Sequence, residues 1–230
     1  MDLIQVLQRS LSGYIFVVPG LFLHFLILSK SGKRQTPAHV ISAFVFCYYL
    51  IGVLTMTGIG KIQGFSPRLV LIPFLDMIRG PVDTALNVLL FIPLGFFLSL
   101  MYKKQDRIGR IAFTGLLFSF AIEFVQMFGR GATDINDLIT NTAGACLGYC
   151  LYQWLSRFAP KEFCEKFRAV CIREDREILF FVVYSFVIML TIQPLVIHTF
   201  FHLGEPVALD FSTEYIKIKS QKAIDSPGTS

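Results

Sequence analysis

The chain has 230 residues, of which 54% are hydrophobic and 16% charged, with a mean hydropathy of +0.61 and a formal net charge of +5. A soluble domain carries roughly a quarter charged residues and shows its apolar positions as a stripe at helical spacing, whereas here they come in unbroken blocks. A water-soluble fold is excluded, and the basic residues, held in short stretches between apolar blocks, point to cytoplasmic loops and not to nucleic acid.

In chain order, apolar segments long enough to cross a ~30 Å hydrocarbon core lie near residues 11–29, 38–57, 82–101, 108–128, 138–158 and 178–203. The expected fold is all-α, a polytopic transmembrane helical bundle of about six spans. The first block follows Arg9 and ends in Lys30 without a small-x-small cleavage site, so it reads as a retained helix. Between spans two and three, FSPRLVLIPFLDMIRG at 65–80 is apolar but broken by Pro67 and Pro73. It is too short to cross and is expected to be an interfacial or re-entrant segment. Between spans five and six, residues 159–177 read as an amphipathic helix at headgroup level, and the tail after Leu203 is polar.

Loop charge sets the expected orientation. The loops after spans one, three and five hold Lys30, Lys33 and Arg34, then Lys103, Lys104, Arg107 and Arg110, then Arg157, Lys161, Lys166, Arg168, Arg173 and Arg176. The remainder of the 21 basic residues are spread over the opposite loops and the two tails. The positive-inside rule places both termini outside.

Polar groups inside apolar spans are expensive, so their positions carry information. Span three opens with Asp83 and Asn87, span four nears its end with Glu123 and Gln126, and span five opens with Asp134, Asp137 and Asn141. Because the spans alternate in direction, these stripes fall at one membrane depth near the outer surface. Asn87 and Glu123 sit about 7 Å below their helix ends at 1.5 Å per residue, too deep to stay unpartnered, and are expected to find partners in one another or in the neighbouring stripes. The loop between spans four and five adds Arg130, bracketed by Gly129 and Gly131, as a counter-charge or anion contact. Capping is the competing reading for Asp134, at a helix start, and for Asp83, in the first turn after Pro81. It does not apply to Glu123.

Other features read as structural. Gly144 and Gly148 form a G-x-x-x-G that favours close helix packing, and Pro93 with Gly95 is expected to kink span three. Cys47, Cys146, Cys150, Cys164 and Cys171 show no C-x-x-C pair. His198 and His202, although four residues apart, lack a further ligand close by apart from Glu205, so no metal and no cofactor is expected.

The runs LIPF at 71–74, NVLLFIPLGFFL at 87–98, FAIEFVQMF at 120–128 and GATDINDLITNTAGACLG at 131–148 resemble the VanZ-like family of bacterial membrane proteins in order and spacing, over roughly residues 44–155. In the family pattern an N-x-x-P-F segment precedes the third span, and Val70 stands here at its first position. The resemblance implies three parts: an additional N-terminal helix and loop at 1–37, a VanZ-like core at 38–158, and at 159–230 a linker, the sixth span and a tail. It further implies a role in low-level resistance to lipoglycopeptide antibiotics of the teicoplanin type, and places the function on Asn87, Glu123, Gln126, Asp134, Asp137 and Asn141. The expected partners are membrane lipids and either a lipoglycopeptide antibiotic or a cell-wall lipid intermediate, held in an outward-facing polar pocket. Two rivals stand beside this binder: an enzyme using Glu123 and Asp137 as acid and base on a lipid headgroup, and a lipid or small-molecule transporter.

Overall fold

Long apolar runs without charge leave the backbone no partner but itself, and the helix is the local solution. A computed structural model describes residues 3–60, 69–70, 81–128, 133–170, 174–196 and 199. The long helices are α1 (Leu3–Lys30), α2 (Pro37–Met56), α3 (Pro81–Met101), α4 (Ile108–Gln126), α5 (Ile135–Ser156) and α7 (Glu174–Val196), with a short α6 (Lys161–Glu165) before the last. α7 contains a π-helical stretch at Ile188–Ile192. By its contacts the chain divides into one unit, Met1–Leu195, and a second, Val196–Ser230, of which Val196 and Thr199 are described. The candidate sites lie in the first.

α1, α2, α3, α4 and α7 are long and apolar enough to cross a membrane. The remaining expected span, α5, has the length, 22 residues, but its first half carries Asn136, Asp137, Thr140, Asn141 and Thr142. Each of these side chains makes a hydrogen bond, to a neighbouring helix or to the backbone and cap of α5 itself. The helical bundle is thus as expected, with five spans by length and composition among the described residues and α5 as a polar helix long enough to be another.

The helix ends follow from single residues. Pro37 starts α2 behind Thr36, whose hydroxyl accepts the His39 N–H at 3.2 Å. α2 stops at Thr57 because Gly58 takes φ +76° and turns the chain back, with Ile59 N–H on Leu54 O at 2.9 Å and Gly58 N–H on Thr55 O at 3.1 Å. Pro93 lies inside an unbroken α3. Beside Leu89, whose carbonyl Pro93 cannot serve, the Tyr49 hydroxyl of α2 donates to Leu90 O at 2.6 Å.

Glycines set the closest approach. Side chains on Gly144 and Gly148 of α5 would collide with the carbonyl oxygens of Val88 and Ile92, and one on Gly95 of α3 with that of Ala145. Ala145, fully buried, also faces Gly115 of α4. α3, α4 and α5 therefore meet around one small-residue layer, the packing mode that serves where helices have no hydrophobic force between them. The hydrophobic core, continuous with this layer, joins α2 to α1, α3 and α7 through Val17, Leu21, Phe46, Leu50, Phe91 and Phe181. Of the expected interfacial segment, Leu69–Val70 (β1) is described, and it pairs in parallel with Thr133–Asp134 (β2), Val70 opposite Asp134.

Candidate functional site

The turn from α4 to α5 is built on two acids. Asp134 is the N-cap of α5: its Oδ1 accepts the Asn136 N–H at 2.8 Å and the Asn136 amide at 2.8 Å. The backbone N–H of Asp134 in turn donates to Oε2 of Glu123 at 3.0 Å. Glu123, in the last turn of α4, is 2% exposed. Its carboxylate ties the end of one helix to the start of the next, and β1 pairs with the same turn at Thr133 and Asp134.

One turn deeper, the Asn87 amide of α3 donates to Oδ1 of Asp137 at 2.6 Å. A further turn along α5, the Asn141 amide donates to the buried Ser119 hydroxyl of α4 at 2.9 Å. The Gln126 amide reaches the Thr57 carbonyl at 2.8 Å, the group that the reversal at Gly58 leaves facing α4. Asn141 Oδ1 and Gln126 Oε1 are buried acceptors with no hydrogen-bond partner among the described residues.

The three stripes read from the sequence are thus brought together: Glu123 accepts the Asp134 backbone N–H and Asn87 donates to Asp137, each finding a partner in a neighbouring stripe. A helix start presents N–H groups with no intrahelical acceptor, and a nearby carboxylate satisfies one without ordering a second side chain. The capping reading of Asp134 holds alongside its place in the cluster. Asp83 stands exposed in the first turn of α3. Arg130, His198 and His202 lie outside the described residues.

Sequence reasoning passed over a second buried group, at the other end of the bundle. Glu177 of α7, 4% exposed, lies between two imidazoles: Oε1 is 3.3 Å from Nε2 of His24 on α1, and Oε2 is 3.4 Å from Nε2 of His39 on α2. His39 donates through Nδ1 to the Phe167 carbonyl at 2.9 Å, which leaves Nε2 to face the carboxyl group. The His24 ring stacks on Phe180, with centroids 4.6 Å apart. Tyr102, just beyond α3, is fully buried beside His39, and burial together with the Glu177 charge holds its hydroxyl well above the usual phenol range. The signal was present: an ionisable group within an apolar span is a site by default. His24 is such a group, whereas the helix-start positions of His39 and Glu177 look solvated from sequence alone.

Nearby, the loop after α3 is fastened by Arg168, which donates to Asp106 at 3.0 Å and to the Tyr152 hydroxyl at 3.2 Å, with Gln153 on the other Asp106 oxygen. Burial lowers the Arg168 pKa, and the contacts with Asp106 and Tyr152 together outweigh it, so the net shift is upward.

Among the described residues no group of His, Cys, Asp or Glu is placed to hold a metal ion. What the Glu123 and Asp137 cluster offers is three carboxylates, counting Asp134, and three amides, two of them with an unfilled acceptor, at the end of the bundle where three helices meet, a set suited to hydroxyl and amine donors.

Comparison with known proteins bears on the same stretch. The family model described as VanZ/LLP1 matches residues 16–156. That range starts within α1 and so takes in more of the chain than the motif-bearing stretch. Protein VanZ of Enterococcus faecium is 45% identical over 67 residues, which are 29% of this chain and 41% of that protein. The chain therefore matches less than half the length of this relative. No solved structure matches.

Proposed function

As the chain belongs to the VanZ/LLP1 family, we propose that this multi-pass membrane protein lowers susceptibility to lipoglycopeptide antibiotics of the teicoplanin type by binding the polar head of an amphiphile at the Glu123 and Asp137 cluster. The ligand is the antibiotic itself or a cell-wall lipid intermediate. The cluster faces outward in the cell membrane, and both termini lie outside.

One observation carries the reading: at a single end of the bundle, α3, α4 and α5 turn carboxylates and amides toward one another, with Asn141 Oδ1 and Gln126 Oε1 buried and lacking donors. Purely structural glue would leave few such acceptors, because each unpaired buried group costs about 1–3 kcal/mol. A ligand rich in hydroxyls and amines supplies the missing donors. The residues matching the family motifs, Asn87, Glu123, Gln126, Asp134, Asp137 and Asn141, are those that form the cluster.

The test is the minimum inhibitory concentration of teicoplanin for cells expressing the wild type, Asp137→Asn or Glu123→Gln, with membrane abundance measured alongside. Both substitutions remove charge with little change of volume. The expected result is loss of protection at normal abundance; full protection by both variants would sink the assignment.

A further inference from the structure

α4 and α7 run side by side in the same direction, touching at Phe118 and Phe186, whose rings meet edge to face with centroids 5.9 Å apart. Between them, with that pair in its lining, lies a groove of about 910 Å³. Its walls are apolar: Phe113 and Leu117 on α4, Leu179, Val183 and Val187 on α7. These residues are 47% to 61% exposed, so the groove opens sideways, toward the surface that a bundle turns to lipid. From Arg110 to Ala121 it runs about 16 Å at 1.5 Å per residue, the depth of one leaflet of a ~30 Å hydrocarbon core.

One end of the groove is polar, where Gln105, Arg110 and Asp175 line it. The acids at this end are already engaged. Asp175 lies 3.5 Å from Lys104, Glu174 accepts the Lys104 backbone N–H at 2.8 Å, and Asp106 is held by Arg168 at 3.0 Å. Lys103, Arg107 and Arg110 are exposed and have no ion pair among the described residues. The mouth is left with uncompensated positive charge where the apolar channel meets the headgroup level, and a guanidinium there matches a phosphate with two parallel donors.

We propose that this groove is a lipid site, in which one acyl chain of an anionic glycerophospholipid lies between α4 and α7 with its phosphate on Arg110. The shape selects a chain of leaflet length, and the charge selects an anionic over a zwitterionic headgroup. The site lies on a different helix pair from the Glu123 and Asp137 cluster and does not depend on that cluster's function.

Trp154 is the single tryptophan of the chain, so quenching can be read from one introduced reporter. In a Trp154→Phe background, Leu117→Trp places the reporter in the groove. Phe120→Trp, at an exposed position of α4 outside the groove, reports ordinary boundary lipid. Each protein is reconstituted in phosphatidylcholine with increasing brominated phosphatidylglycerol or brominated phosphatidylcholine. The expected result at position 117 is a preference for phosphatidylglycerol of about fivefold, the size of one basic contact at the membrane surface, with none at 120. Arg110→Gln, an exposed change that leaves the fold alone, removes the preference, and Arg110→Lys retains most of it. Equal quenching by the two lipids at 117, an equal preference at 120, or a preference that survives Arg110→Gln overturns the proposal.

Discussion

At the scale of single residues, the chain places its few buried acids where helix ends supply them with donors. Asp134 caps α5, and Asp134→Ala is expected to cost about 1 kcal/mol of stability, read as an earlier midpoint in a denaturing-detergent titration followed by circular dichroism; no change in midpoint would remove the cap from the account. Glu177 is in a different situation, since it faces His24 and His39 from a position with 4% exposure. Taking away one side of such a buried group leaves the others unpartnered, so Glu177→Ala is expected to destabilise by on the order of 3–5 kcal/mol. The double change with His39→Ala should cost less than the two singles added, as residues that share a contact couple. Additive losses would mean that Glu177 and His39 are neighbours without interaction.

At the scale of elements, the contact between α3 and α5 rests on absent side chains. Gly148 meets the Ile92 carbonyl and Gly95 the Ala145 carbonyl so closely that no Cβ fits, whereas a Cβ added to Gly52 of α2 would enter open space. Gly148→Ala is accordingly expected to force α3 and α5 apart and lower stability by about 1–3 kcal/mol, while Gly52→Ala should be neutral or stabilise by roughly 0.5–1 kcal/mol through helix propensity. Thermal midpoints of the two purified variants decide it, and equal midpoints would show that the small-residue layer is not what sets the helix separation. The same layer aligns Asn87 with Asp137 and Ser119 with Asn141, so the glycine contact and the polar cluster are one arrangement seen at two depths.

At the scale of the molecule, the orientation rests on loop charge. Single cysteines at Gly131 and Lys104, in a cysteine-free background, should differ in intact cells: an impermeant thiol reagent is expected to label 131 and spare 104. The reverse pattern would invert the topology and turn the Glu123 and Asp137 cluster toward the cytoplasm, where it could not meet an antibiotic arriving from outside.

The sequence by itself determined the solvent, the helices and the polar stripes. Composition and block length follow from the cost of burying backbone and charge in hydrocarbon, and that cost is local to each segment. It also marked the residues that come together, because helices alternating through a slab of fixed thickness put like depths side by side. Only the tertiary structure decided which atoms pair. Glu123 settled on the Asp134 backbone N–H, a donor present at every helix start and so invisible in residue identities. Asn87 met Asp137 because Gly144 and Gly148 draw α3 onto α5, a choice of neighbour that no single helix encodes. The contact of Glu177 with His24 and His39 joins residues from α1, α2 and α7, distant in the chain, and the groove between α4 and α7 is likewise lined by residues from two helices far apart in sequence. Such features belong to relations between helices, set by packing shape, and the apolar pattern of each helix is compatible with many neighbours.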